Sequence, residues 1–221
     1  MLKFAGQNIV IVSATDINTS VMGEKWFIQK NFLSADEIID GKTIITPVYT
    51  VIHSKDFRIQ VLNNQIAIFI EKLENDSELT GKAISLARKI IESKALNSVM
   101  SMGTNFSYIT DRMENIEEMT TKLSFNPSNK FHQHIKGNDK KRFGSYTSFD
   151  FLDARLRIDI KPEYSIESKI EYSEVLIAQF NFHKNFNEEN STIEAFDFLE
   201  NFEAFKNYSD ETVDIINETI K

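Results

Sequence analysis

The 221-residue chain contains no cysteine. That excludes disulfides, thiolate zinc sites, iron–sulfur clusters and a cysteine nucleophile, and it suits a reducing compartment. Glycine is scarce as well. The 7 glycines are scattered singly, so neither a G-x-G-x-x-G fingerprint nor a P-loop is present, and no G-x-S-x-G elbow occurs. No apolar run approaches the roughly 20 residues that a membrane-crossing helix needs. The opening MLKFAGQNIVIVSATDINTS carries an apolar run of about five residues, shorter than the core of a secretory signal. These absences predict a cytoplasmic protein with no membrane association, no metal and no cofactor.

Positive charge is also in short supply. There are 25 Lys and Arg against 33 Asp and Glu, a net charge of −8. An acidic balance disfavours a general nucleic-acid coat, because phosphate binding needs a positive surface, and it keeps the protein soluble and could suit a basic partner. The 41% of apolar residues is enough for a packed core. The 18 phenylalanines beside a single tryptophan read as compositional bias.

No internal repeat or low-complexity tract is visible. Ile9-Val10-Ile11-Val12 reads as a buried strand, and Ser20 to Phe32 is weakly helical. Thr43 to Ile52 is β-rich, with Pro47 favouring an edge or a bulge. Phe57 to Val61 alternates, Gln65 to Ile70 is β-rich, and Leu62-Asn63-Asn64 between them predicts a hairpin, since Asn tolerates the positive φ of a tight turn. Asp76 is placed to cap a helix whose stripe is Leu79, Ala83, Leu86, Ala87, Ile90 and Ile91, with Arg88, Lys89 and Lys94 near its end. Asn97 to Tyr108 is extended, and Gly103 suggests a bulge. Arg112 to Leu123 is a short acidic helix. Asn126 to Gly144 is a polar loop. Strands follow at Ser145–Leu152, Ala154–Ile160 and Ser173–His183. Ser191 and Glu194 match a capping box, and Ser209 is read as the cap of a last helix.

The order predicts an α+β fold, mainly antiparallel sheet with helices packed on one face. We expect one domain over residues 1–221, with two halves, 1–125 and 143–221, marked off by the polar loop 126–142.

Two places could carry function. His132 and His134, i and i+2 in the run Phe131 to Arg142, would point the same way on a strand and could share a metal. They could instead supply the acid and base of a metal-independent RNase, with Lys136, Lys140 and Lys141 holding phosphate. The competing reading is a polar surface loop. The second place is a basic row on the wet face of one strand, Arg155, Arg157 and Lys161, which Arg58 joins if the hairpin lies in the same sheet. Such a row can grip phosphates or an acidic partner. No aromatic pair is interleaved with these cations, so the RNA-binding sheet pattern is missing. His53 and His183 stand alone as strand-end or surface residues. Among the carboxylates (Glu114, Glu117, Glu118, Asp150, Asp153, Asp159), a nuclease set of Asp150, Asp159 and Lys161 can be drawn, while Asp150 and Asp153 fit ordinary turn chemistry.

The hairpin IQVLNNQIAIFI followed by a helix, then SMGTNFSYIT, LIAQFNFHKNF and STIEAFDFLENFEAFKNY, resembles a broad, sporadically distributed family of bacterial α+β proteins. The resemblance covers most of the chain. It implies a setting near mobile-element or defence genes, and it carries over no active-site residue. From all this we expect a non-enzymatic interaction protein, an accessory or regulatory subunit with a protein partner, in an antiphage or toxin-related system. The alternatives are a nuclease using the His132/His134 loop and a pocket protein that binds a small molecule.

Overall fold

The computed structural model describes residues 1–70, 77–93, 95–96, 98–113, 115–126, 128–135, 142–166 and 172–220. Asp76, Lys94, Asn97 and Glu114, and the stretch 136–141 with its lysines, lie outside the described residues.

Nine strands are described: β1 (Lys3–Ser13), β2 (Ile44–Ile45), β3 (Tyr49–His53), β4 (Phe57–Leu62), β5 (Gln65–Ile70), β6 (Val99–Ile109), β7 (Ser145–Phe151), β8 (Ala154–Ile166) and β9 (Tyr172–Asn185). They form one antiparallel sheet in the order β2-β3-β4-β5-β1-β6-β9-β8-β7. The α-helices are α1 (Glu24–Gln29), α2 (Ser77–Glu92), α3 (Ile116–Ser124), α4 (Lys130–Ile135), α5 (Ser191–Glu200) and α6 (Phe202–Ile220). The expected α+β architecture is the one observed, with the sheet continuous from edge to edge. No described helix is long and apolar enough to cross a membrane.

The connectivity contains a repeat that the residues do not show. β1 is followed by a long connection and a meander, β3-β4-β5, whose last strand returns beside β1; α2 then follows. β6 is likewise followed by a long connection and a meander, β7-β8-β9, whose last strand returns beside β6; α5 and α6 then follow. The two units meet along the β1–β6 pair. The side chains differ: Ile59, Val61, Ile66 and Ile68 point inward in the first unit, and Phe106, Phe180 and Phe182 in the second. The stretch 126–142 lies inside the second unit.

The inward face of the sheet is apolar because the strands alternate with period two. α2 lays Leu79, Ala83, Leu86, Ala87, Ile90 and Ile91 on it, against β1 and β5. α5 and α6 cover β6 and β9. There the phenylalanines have a structural task. Phe182 stacks on Phe205 at 4.4 Å, and Phe106 meets Phe202 edge-on at 5.2 Å, each burial contributing on the order of 2–3 kcal/mol.

Several local expectations change. The β4–β5 hairpin forms, but neither Asn63 nor Asn64 has positive φ. Their carbonyls instead accept from the N–H groups of Ile17 and Ser13, which binds the turn to the exit of β1. Gly103 sits in regular register between Val10 and His183; the irregularities fall elsewhere, with Ala5 extra on β1 between Phe4 and Gly6 and Met100 extra on β6 opposite Val12 and Ser13. Ser209 is no cap. It is buried inside α6, and its hydroxyl donates to the Phe205 carbonyl at 2.9 Å, the back-bonding that an interior serine uses to hide its polarity. The Ser191 box does not form either: Asn190 caps α5 without a side-chain bond, and Glu194 accepts from the Asn187 N–H at 3.4 Å.

Candidate functional site

The outward face of the sheet carries no described helix, and its residues are set by strand register. Reading directly opposite partners across eight strands gives one row: His53, Arg58, Phe69, Asn8, Asn105, Asn181, Arg157 and Ser148. The hairpin therefore lies in the same sheet as the basic strand, and Arg58 and Arg157 stand five strand spacings apart, about 24 Å.

The centre of the row is a ladder of amides. Asn105 Nδ2 donates to Asn8 Oδ1 at 2.7 Å, and Asn181 Nδ2 donates to Asn105 Oδ1. Each amide is satisfied by its neighbour, which lets three asparagines sit half-buried on adjacent strands. At one end Arg58 lies over the Phe69 ring, 3.9 Å from its centroid, a geometry in which cation and π-face attract. Gly6, Asn8, Arg58, Phe69 and Ser107 border a depression of about 420 Å³. At the other end Arg157 is exposed and forms no ion pair among the described residues.

The other two cations of β8 are engaged. Arg155 pairs with Asp150, directly opposite on β7, at 3.0 Å. Lys161 pairs with Glu163 at 3.1 Å and Asp159 at 3.2 Å. These bonds, to Glu163 first, hold its ammonium pKa above the ordinary lysine value. Lys3 also faces outward. The described outward strand positions thus hold five cations (Lys3, Arg58, Arg155, Arg157, Lys161) against three carboxylates (Asp150, Asp159, Glu163). That balance of +2 over the strand positions, on a chain of −8, leaves −10 for everything else, including Asp111 just beyond β6, which pairs with Lys3 at 2.5 Å.

The histidine pair is corrected by the fold. His132 and His134 lie on α4, a helix and not a strand or loop. Residues two apart on a helix diverge by about 200°, so the rings point to opposite sides and cannot converge on one metal or one phosphate. His132 has a packing role: Nδ1 accepts from the Asn126 N–H at 2.9 Å, and the ring stacks on Phe125 at 5.5 Å and meets Phe143 edge-on. His134 is exposed. The nuclease set drawn from Asp150, Asp159 and Lys161 is also separated. Asp150 lies opposite Arg155, four residues along β8 from Asp159, about 13 Å. Asp150 and Asp153 flank Leu152 in the β7–β8 turn. Among the described residues no group of three or more His, Asp or Glu is placed to hold a metal ion. His183 Nε2 lies 3.0 Å from Asn185 Oδ1 on the outward face, and His53 ends β3 opposite Arg58.

A second polar cluster, unforeseen from the residues, lies beneath α6. Lys206, only 5% exposed, donates to both oxygens of Asp210 at 2.7 and 2.5 Å and sits over the Phe4 ring at 4.7 Å. Tyr108 donates its hydroxyl to Asp210 Oδ1 at 2.7 Å. Burial, and then this bond, push the Tyr108 pKa far above the ordinary tyrosine value.

No protein-family model matches the chain, and no curated protein matches it.

Proposed function

We propose that this chain is a non-enzymatic interaction protein, an accessory subunit that docks an acidic protein surface on the open face of its sheet. The observation that supports this reading is the amide row between Arg58 and Arg157, lying on the one outward surface whose strand positions balance positive. A folded partner suits the row better than a nucleic acid does. The −10 carried elsewhere repels a long polyanion, whereas a compact acidic patch meets only the face it touches. The amides give such a patch both donors and acceptors, and the arginines supply charge-assisted bonds.

The test is co-purification of the tagged full chain from its native host, after nuclease treatment, with two single substitutions. Arg157→Glu reverses the exposed cation of the row. Glu211→Lys makes a charge change of equal size on exposed α6. We expect a stoichiometric acidic partner that is lost with Arg157→Glu, retained with Glu211→Lys, and weakened as ionic strength rises. Equal recovery by both variants, or recovery abolished by the nuclease, would overturn the proposal.

A further inference from the structure

The two edges of the sheet are unequal. β2 contributes only Ile44 and Ile45 and is followed, after Thr46, by Pro47, a short, proline-flanked edge of the kind that resists further pairing. β7 is seven residues long, Ser145 to Phe151, and no described strand pairs with its outer side. It carries no proline, lysine or glycine and pairs with β8 in unbroken register. Its one charge, Asp150, is already matched by Arg155.

The direction of its backbone groups follows from the turn. Phe151 and Ala154 flank the two-residue loop Leu152-Asp153, so they form a hydrogen-bonded pair, and such pairs alternate along an antiparallel ladder. Phe149, Thr147 and Ser145 therefore turn their N–H and C=O groups toward β8. Close approach of the Ile160 carbonyl to Gly144, next to the Ser145–Ile160 pair, agrees with this phase. Tyr146, Ser148 and Asp150 turn theirs outward.

That outward set is its own complement. An antiparallel copy of β7 centred on Ser148 places Ser148 opposite Ser148 and Tyr146 opposite Asp150. All three outward residues then fall in hydrogen-bonded pairs, and every outward N–H and C=O on both copies finds a partner. No like charges face each other, and the Tyr146 hydroxyl meets the other copy's Asp150 carboxylate. On the helix side Thr147 opposes Phe149 and Ser145 opposes Phe151, bringing together half-buried rings that α6 touches through Tyr208 and Phe205. We propose that two copies of this chain pair through β7 about a twofold axis at Ser148, joining two nine-stranded sheets into one. Ser148 also ends the amide row, so the row runs unbroken through the axis into the second copy.

Sedimentation of the full chain from micromolar to submillimolar concentration tests this. We expect a reversible dimer. Ser148→Pro removes an outward N–H that β8 does not use, so it should weaken association at least about tenfold while leaving the far-ultraviolet circular dichroism unchanged. Ser148→Lys sets two cations face to face with the backbone intact, and it reads the same quantity if the proline disturbs the edge. The absence of other thiols makes Ser148→Cys a clean probe: paired Cα atoms about 5.5 Å apart lie within disulfide reach, so mild oxidation should cross-link it far faster than Thr219→Cys on α6. A wild-type chain that stays monomeric, a dimer that survives both Pro and Lys at 148, or equal cross-linking at 148 and 219 would each overturn the proposal. None of these results depends on the acidic partner.

Discussion

Replacing Asp210 with leucine isolates the energetics of the cluster beneath α6. In the native chain the Lys206 ammonium, almost wholly buried, has both Asp210 oxygens as partners. Without them it keeps only the faces of Phe4 and Tyr108. Breaking a buried ion pair from one side costs about 3–5 kcal/mol, because the remaining charge is stranded. The Asp210 side chain is 37% exposed, so water offsets part of that, and the lower end applies. The Tyr108 hydroxyl also loses its acceptor, for about 1 kcal/mol. A total near 3–4 kcal/mol corresponds to a melting temperature lower by roughly 6–16 °C in a chain of this size. The double change Lys206→Met with Asp210→Leu removes the stranded charge and should return to within about 1.5 kcal/mol of the parent. Urea and thermal unfolding followed by circular dichroism measure both. A drop below about 3 °C for Asp210→Leu, or a double variant no more stable than the single one, would refute the assignment of Lys206 as a buried, paired cation.

Two further outcomes are expected. Tyr108 has its pKa raised by folding, so the stability it contributes is fully present below the ordinary tyrosine pKa and is lost as pH climbs above it. The gap between the parent and Tyr108→Phe should therefore narrow by about 1.4 kcal/mol per pH unit above roughly pH 10, and denaturation profiles that stay parallel from pH 9 to 11 would contradict this. The two histidines of α4 should separate: His132→Ala loses an acceptor and a ring stack and should cost about 1–2 kcal/mol, while His134→Ala should leave the unfolding midpoint unchanged.

What could be read from the residues followed from local periodicity. The alternation of Ala154, Leu156, Ile158 and Ile160 announced β8, and the stripe from Leu79 to Ile91 announced α2, because each pattern is complete within a few turns of chain. The failures have a common cause. The run around His132 and His134 reads as a polar loop, with a shared direction for the two rings only if it forms a strand, yet it forms one helical turn and a half whose packing on Phe125 and Phe143 comes from outside it. Ser209 carries a capping side chain, but the core contacts of Phe205 and Val213 on either side continue the helix through it. The asparagine row was out of reach for a different reason. Asn8, Asn105 and Asn181 each interrupt an apolar strand, a visible oddity taken singly, but their alignment depends on the register of strands separated by 97 and 76 residues. Lys206 gives no local signal, because its burial follows from the face that α6 turns to the sheet.

The amide row has one property that no single asparagine has. Asn105 is both a donor to Asn8 and an acceptor from Asn181, so its amide cannot turn over alone without breaking two bonds at once. If it turns, its neighbours turn with it, and all the bonds are regained with the sense reversed. As it stands, the run of bonds begins at the Asn181 Nδ2 donor and ends at the Asn8 Oδ1 acceptor. The row is thus a compass needle laid across the sheet: it holds one of two headings, and a visitor that binds to it must agree with the heading or swing the whole needle around.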